Sequence, residues 1–265
     1  MLVGDVELVA LVDAVGRLGE LDELFPDAPD WDAERELYPE LFAGSQWRIQ
    51  CACYLIRAGG TTLLVDTGVG PAGLRGWAAE REEGLLPALG EAGVAPEDVD
   101  VVVLTHLHVD HVGWNTDRDG RVVFPNARYV THPDGVAFAL GSDRPYVQRA
   151  IAPIAFEEAR GGTELAPGVT TVELPGHFPG HMGVWIESRG RRALLLADTA
   201  VNPKMLSMPE LGYASDIDQD ESRQTRRELL PELVDQDVLA VCGHYPGGGI
   251  GRVVTRDGRV VWEAA

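Results

Sequence analysis

The stretch Thr105-His106-Leu107-His108-Val109-Asp110-His111 decides how this 265-residue sequence is read. It holds three histidines and an aspartate. The residues before it, Asp100-Val101-Val102-Val103-Leu104, are β-branched and continuous over a short run, which predicts a buried strand. Gly113 follows and favours a sharp turn. The cluster is therefore expected at the C-terminal end of a core strand, where open α/β sheets put their ligand sites. Neutral imidazole nitrogen and carboxylate oxygen are the donors that a borderline divalent cation such as Zn²⁺ prefers. In an extended segment His106 and His108 point the same way. Asp110 and His111 can diverge onto a second position once the chain turns, which suits two adjacent metals better than one. The competing reading is a chance cluster of surface histidines, and the hydrophobic strand in front weighs against it.

The formal net charge is −20, from 22 basic and 42 acidic residues. Such a balance disfavours nucleic acid, which rewards Lys and Arg contacts to phosphate, and anionic membrane surfaces. It also repels anionic substrates mildly. Cys51, Cys53 and Cys242 form no Cys-x-x-Cys pair and no disulfide framework. Cys51 and Cys53 are expected on one face of a strand as small core residues, and Cys242 as a buried strand cysteine. The run Met1 to Val15 has no basic region and carries Asp5, Glu7 and Asp13, so it is not read as a signal peptide. A cytoplasmic location is the resulting expectation. With no linker or low-complexity tract, residues 1–265 are read as a single domain.

Strands are expected at Val6 to Leu11, at Ile49 to Arg57 and at Thr61 to Asp66, the last two joined by Ala58-Gly59-Gly60 as a hairpin. The segment Gly19 to Gln46 is acidic and aromatic, with Phe25, Trp31, Tyr38 and Phe42. It reads as a lid, as the contact of a homodimer, or as a strip packed on the sheet edge. Asp66 closes its strand before Thr67-Gly68, either as a cap or to orient a metal-ligating histidine from behind. Ala72 to Gly93 is expected to be mostly helical, and Trp114 to wall a pocket. His132 ends another strand and is taken as structural. Asp134 to Glu158 reads as helical and irregular, and Val169 to Leu174 as a strand. The following Pro175-Gly176-His177-Phe178-Pro179-Gly180-His181-Met182 is too rich in Pro and Gly for a helix, so it forms a shaped loop able to deliver one imidazole to a metal. A hairpin is expected from Val184 to Leu196, and Asp198 closes its second strand as a cap or as a carboxylate bridging two cations. Asp220 to Leu233 reads as helix and Val238 to Cys242 as a strand that ends in His244, the last candidate ligand. The Gly-rich run after Tyr245 lacks the Lys-Ser/Thr of a phosphate loop. Val253 to Trp262 closes the chain as a hairpin.

His106-x-His108-x-Asp110-His111, followed in order by Gly176-His177-x-x-Gly180-His181, Asp198 and His244, resembles the metallo-β-lactamase superfamily. The resemblance covers about Val6 to Trp262 and implies an α+β fold, a four-layer αβ/βα sandwich with metals at the seam between two sheets. Carried over residue by residue, it implies that His106, His108 and His181 hold one metal and that Asp110, His111 and His244 hold the other. Asp198 would bridge both, and Asp66 would border the site. His177 is left as a structural group or one behind the ligands. The implied cofactor is two Zn²⁺, with iron, manganese or cobalt as alternatives. Two such ions about 3.5 Å apart make hydroxide available near neutral pH. Asp110, besides ligating, would orient the nucleophile or shuttle its proton, so Asp110 and Asp198 are the expected catalytic residues.

Within the superfamily, the sequence is most similar to the group of N-acyl homoserine lactonases and methyl parathion hydrolase-like enzymes, through its length, its aromatic N-terminal segment and its Gly243-His244-Tyr245-Pro246-Gly247 ending. The expectation is a hydrolase of a small neutral ester-like substrate, a lactone or an organophosphate triester, acting on no nucleic acid and no membrane. Phe178, with Trp114, would line the pocket. The lactonases carry a tyrosine shortly after the bridging aspartate. Here the nearest is Tyr213, fifteen positions on, with Tyr245 as the other candidate. The alternatives are a mononuclear iron persulfide dioxygenase using His106, His181 and Asp198, a thioester or β-lactam hydrolase, and a metal-binding regulatory protein.

Overall fold

The computed structural model describes residues 1–71 and 77–265. Its first sheet runs in the order Leu2–Val3, Val6–Glu20, Gln46–Ala58, Thr61–Val65, Val101–Val103, Arg128–Thr131 and Phe156–Glu158, with Phe42–Ala43 and Ala78–Arg81 pairing off this path. The second runs Glu164–Ala166, Val169–Glu173, Met182–Ser188, Arg191–Leu195, Val238–Val241, Ile250–Arg256 and Arg259–Ala264. Each sheet mixes antiparallel hairpins with parallel pairs. The strands 61–65, 101–103 and 128–131 run parallel, as do 191–195 and 238–241. Gly59 and Gly60, both at positive φ, make the tight turn that pairs Ala58 with Thr61, as the hairpin signal implied.

The four expected layers follow from side-chain alternation along strands covered on both faces. Leu63, Val65, Val101 and Val103 of the first sheet meet Val184, Ile186, Leu195 and Val241 of the second in one buried cluster between the sheets. Leu64 and Val102 face the other way, under helices Leu85–Glu91, Pro133–Gly141 and Pro145–Ile151. Leu194 and Ala240 likewise face out, under helix Gln219–Leu233 and the aromatic N-terminal segment. That segment is therefore core: Phe25, Trp31 and Tyr38 are buried, and the Lys204 ammonium lies 2.8 Å from the buried Glu34 carboxylate. Among the described residues no helix is long and apolar enough to cross a membrane.

Some elements differ from expectation. The first long strand continues to Glu20, because a bulge carries it past Asp13: Val12 pairs with Ala52 but Ala14 with Cys51. Of the helix expected over 72–93, residues 72–76 lie outside the described residues, and the rest divides into the edge strand Ala78–Arg81 and the short helix Leu85–Glu91. Ala78–Arg81 is exposed throughout, so it has no buried face to imprint a period of two. Phe156–Glu158, expected at the end of a helical region, is an edge strand parallel to Arg128–Thr131.

Candidate metal centre

The central polar residues at the seam follow the C-terminal ends of strands: Asp66 after Thr61–Val65, the histidine cluster after Val101–Val103, His177 after Val169–Glu173, Asp198 after Arg191–Leu195, and His244 after Val238–Val241. Two of these junctions are strained. Asp66 and Ala197 hold φ of 59° and 45°, values that non-glycine residues adopt only when the surroundings impose them. The turn bearing Asp110 and His111 docks on the Thr67–Gly70 loop by backbone bonds from Thr67 N–H to His111 O and from Gly113 N–H to Gly68 O. A side chain at Gly113 would run into Val69 backbone atoms at 2.1 Å, so only glycine permits this approach.

Two groups of donor atoms result. In the first, His108 Nδ1 lies 3.0 Å from His106 Nε2 and 3.0 Å from His177 Nε2, and His177 Nε2 lies 3.3 Å from Asp198 Oδ2. In the second, His111 Nε2 and His244 Nε2 lie 3.4 and 3.2 Å from Asp198 Oδ1, and each lies 3.7 Å from Asp110 Oδ2. Asp198 thus lies between the groups, with Oδ1 toward His111 and His244 and Oδ2 toward His177, although His244 Nε2 is also 3.4 Å from Oδ2. Donors bound at about 2.0–2.2 Å to one tetrahedral cation stand roughly 3.3–3.6 Å apart, close to what is found here.

The far nitrogens fix which atoms face inward. His177 Nδ1–H donates to Asp216 Oδ1 at 2.8 Å, His111 Nδ1–H to Asp66 Oδ2 at 2.8 Å, and His244 Nδ1–H to the Gln50 carbonyl at 2.8 Å. Thr105 Oγ1 donates to Asp66 and so accepts from His106 Nδ1. Each of these rings is left with its Nε2 lone pair aimed at the centre, the arrangement in which a carboxylate or carbonyl orients a metal-binding imidazole. His111 Nε2 is buried with no hydrogen-bond partner. Electrostatics agree. Burial opposes protonation of His111 and His244, but Asp198 and, for His111, Asp66 and Asp110 outweigh it and lift both well above the usual histidine range. Burial also opposes ionisation of Asp198, yet His244, His111 and His106 hold it well below the carboxylate range. The carboxylate half of the cluster demands positive charge, and a divalent cation fits the donors that surround it.

One expected ligand is displaced. His181 donates from Nδ1 to the Leu174 carbonyl at 2.8 Å and accepts the Asp198 backbone N–H on Nε2 at 3.0 Å. Both nitrogens are spent, and burial with the neighbouring His177 holds the ring neutral, its pKa down to about 3. His177 takes its place in the first group, and His181 instead fixes the backbone that presents Asp198. Two further expectations fail. The Trp114 indole lies in the layer under the helices and donates to Asp13 Oδ1 at 2.9 Å rather than walling an open pocket. Tyr245 is fully buried against Trp262 in the layer on the outer face of the second sheet. Phe178 does adjoin the site, edge-on to His108 at 4.9 Å. Tyr213 lies parallel to His177 at 5.9 Å and stacks on Phe25. His132 caps a helix by accepting the Asp134 N–H, as a structural histidine should.

Sequence reasoning missed Asp216, whose carboxylate lies between His177 and the buried Arg226, 3.6 Å away. It also missed Asp13, the bulge residue. Asp13 accepts from Val69 N, Gly70 N, Leu85 N and Trp114 Nε1 and so ties the loop beside the site to a helix and a tryptophan. Cys51, expected in the core beside Cys53, has its sulfur 3.9 Å from Asp110 Oδ2.

Residues 47–244 match the Metallo-beta-lactamase superfamily, and the chain belongs to it. Among its relatives, an N-acyl homoserine lactonase of Bacillus cereus is 25% identical over 220 residues, covering 77% of this chain and 84% of the relative. The N-acyl homoserine lactonase AiiB of Agrobacterium fabrum is 30% identical over 182 residues, 57% of this chain and 63% of the relative. Among solved structures, the dizinc quorum-quenching lactonase AidC superimposes with a TM-score of 0.85 over 100% of this chain and 96% of its own, at 22% identity. The expectation of a metal-dependent hydrolase with a sandwich fold accords with these relatives.

Proposed function

We propose that this chain is a dinuclear zinc lactonase that opens N-acyl homoserine lactones. The observation that carries the reading is the pair of donor groups with the Asp198 carboxylate between them. His106, His108 and His177 would hold one ion, Asp110, His111 and His244 the other, and Asp198 both. When bound, the two cations supply acidified water as nucleophile and positive charge for the oxyanion that develops on the lactone carbonyl. Asp110 would orient the attacking water and take its proton, a role supported by its side chain being 17% exposed against 8% or less for His106, His111, His177, Asp198 and His244. Phe178 shields His106 and His108 from solvent on one side. A neutral lactone also suits a protein of net charge −20, which disfavours anions. The relatives support this substrate: an N-acyl homoserine lactone hydrolase of the same fold, TM-score 0.71, was solved with N-hexanoyl-L-homoserine at its catalytic metal centre. The second donor group speaks against a mononuclear iron enzyme.

The test is metal content per chain beside proton release from N-hexanoyl-L-homoserine lactone, for wild type and Asp198→Ala. Two zinc ions and lactone hydrolysis, both lost in the variant, support the proposal. Two zinc ions with turnover only of a phosphotriester overturn the substrate, and one iron per chain overturns the dinuclear centre.

A further inference from the structure

Nothing in the sequence sets Cys51 apart from Cys53, which lies on the same strand two residues away. Both face the same side of that strand, and the Asp13 bulge of the partner strand falls opposite Cys51 and Ala52, so the two cysteines meet different neighbours. Cys53 pairs with Leu11 and joins the layer under the helices, whereas Cys51 pairs with Ala14 and packs with Val69 beside the site. The Cys51 sulfur, an Asp110 carboxylate oxygen and a His244 ring nitrogen all lie within 4.8 Å of one another. Asp110 and His244 both belong to the second donor group. At bond lengths of about 2.3 Å to sulfur and about 2.1 Å to oxygen, the 3.9 Å between Cys51 Sγ and Asp110 Oδ2 fits both donors on one ion.

We propose that Cys51 is an additional ligand of the second metal position, its sulfur joining Asp110, His111, His244 and the shared Asp198. On metal binding the S–H bond breaks, its proton leaves to solvent, and the thiolate sulfur forms the bond to the cation. A thiolate is a soft donor that selects zinc over magnesium, calcium or manganese, so this ligand narrows which metal the centre retains. Cys242 has no such role, since its sulfur faces the carbonyls of Ala197 and Ala200. The inference rests on the dinuclear reading proposed above.

Zinc-edge X-ray absorption on wild-type protein carrying two zinc ions is the direct test and needs no variant. The expected result is a sulfur neighbour at about 2.3 Å, averaging roughly half a sulfur per zinc. The protein loaded with two cobalt ions should show a thiolate-to-cobalt charge-transfer band in the near ultraviolet. That band should be lost in Cys51→Ser and Cys51→Ala and kept in Cys53→Ala and Cys242→Ala. Two zinc ions per chain with nitrogen and oxygen neighbours alone would overturn the proposal and leave Cys51 a hydrogen-bond donor to Asp110. Fewer than two ions per chain would overturn the dinuclear reading itself, a distinct result.

Discussion

The exchange of roles between His177 and His181 can be tested by removing each in turn. His181→Ala strips the Leu174 carbonyl and the Asp198 N–H of their partners in a fully buried setting. Each orphaned backbone group costs about 1–3 kcal/mol, and the vacated ring adds to that, so the metal-free variant should lose about 4 kcal/mol of stability. Against a total of about 5–15 kcal/mol this is a large fraction. Two metals should still bind, because no inward-facing lone pair has been removed. His177→Ala does the reverse. It deletes one of three imidazoles from the first donor group while leaving Asp216 beside Arg226. Metal content should fall from two to one, with a smaller change in metal-free stability. Urea denaturation of stripped protein and elemental analysis after passage over a weak chelator measure the two quantities separately. If His181→Ala drops one metal while His177→Ala keeps both, the assignment from hydrogen-bond directions is wrong.

Asp216→Asn keeps an acceptor for His177 but removes the charge facing Arg226, and should lower affinity for one metal by about 10–100-fold in chelator competition. Asp13→Ala strands four buried donors and should destabilise by about 4 kcal/mol or more in urea, with Trp114 fluorescence reporting the change. Lys204→Met leaves Glu34 buried without its cation and should cost about 3–5 kcal/mol, and adding Glu34→Leu should recover most of it, as read by thermal unfolding.

What could be read from the chain was set by short-range order. Val101–Val103 and Arg191–Leu195 are covered on both faces, so their apolar runs announce strands, and the polar residues that follow them announce a site. That Asp198, Asp110 and His244 meet in one polar cluster was legible in this way. The choice between His177 and His181 was not, because both lie in one Pro-Gly loop and only the Leu174 carbonyl and the Asp198 amide decide which ring has a free lone pair. Asp13 looked like a polar interruption of an apolar run, since its bulge exists only against the partner strand. The different surroundings of Cys51 and Cys53, set by which elements cover each end of one strand, were equally out of reach. Tyr245 and Trp114 were misplaced because nearness in sequence to a ligand does not say which face of the sheet a side chain takes. Asp216 carried no local signal, being 39 residues from the histidine it holds.

The proposed ligands are divided between the two sheets. His106, His108, Asp110 and His111 leave the first, and His177, Asp198 and His244 leave the second. Neither half owns a complete set for either ion, and the crossing between them is the exposed Gly161-Gly162 turn. A chain cleaved there yields two fragments, each with one bare apolar sheet face and an unfinished coordination shell. If the proposed centre is right, such fragments should reassemble only when metal is added, and the cleaved protein would serve as a split reporter in which metal concentration sets the extent of complementation.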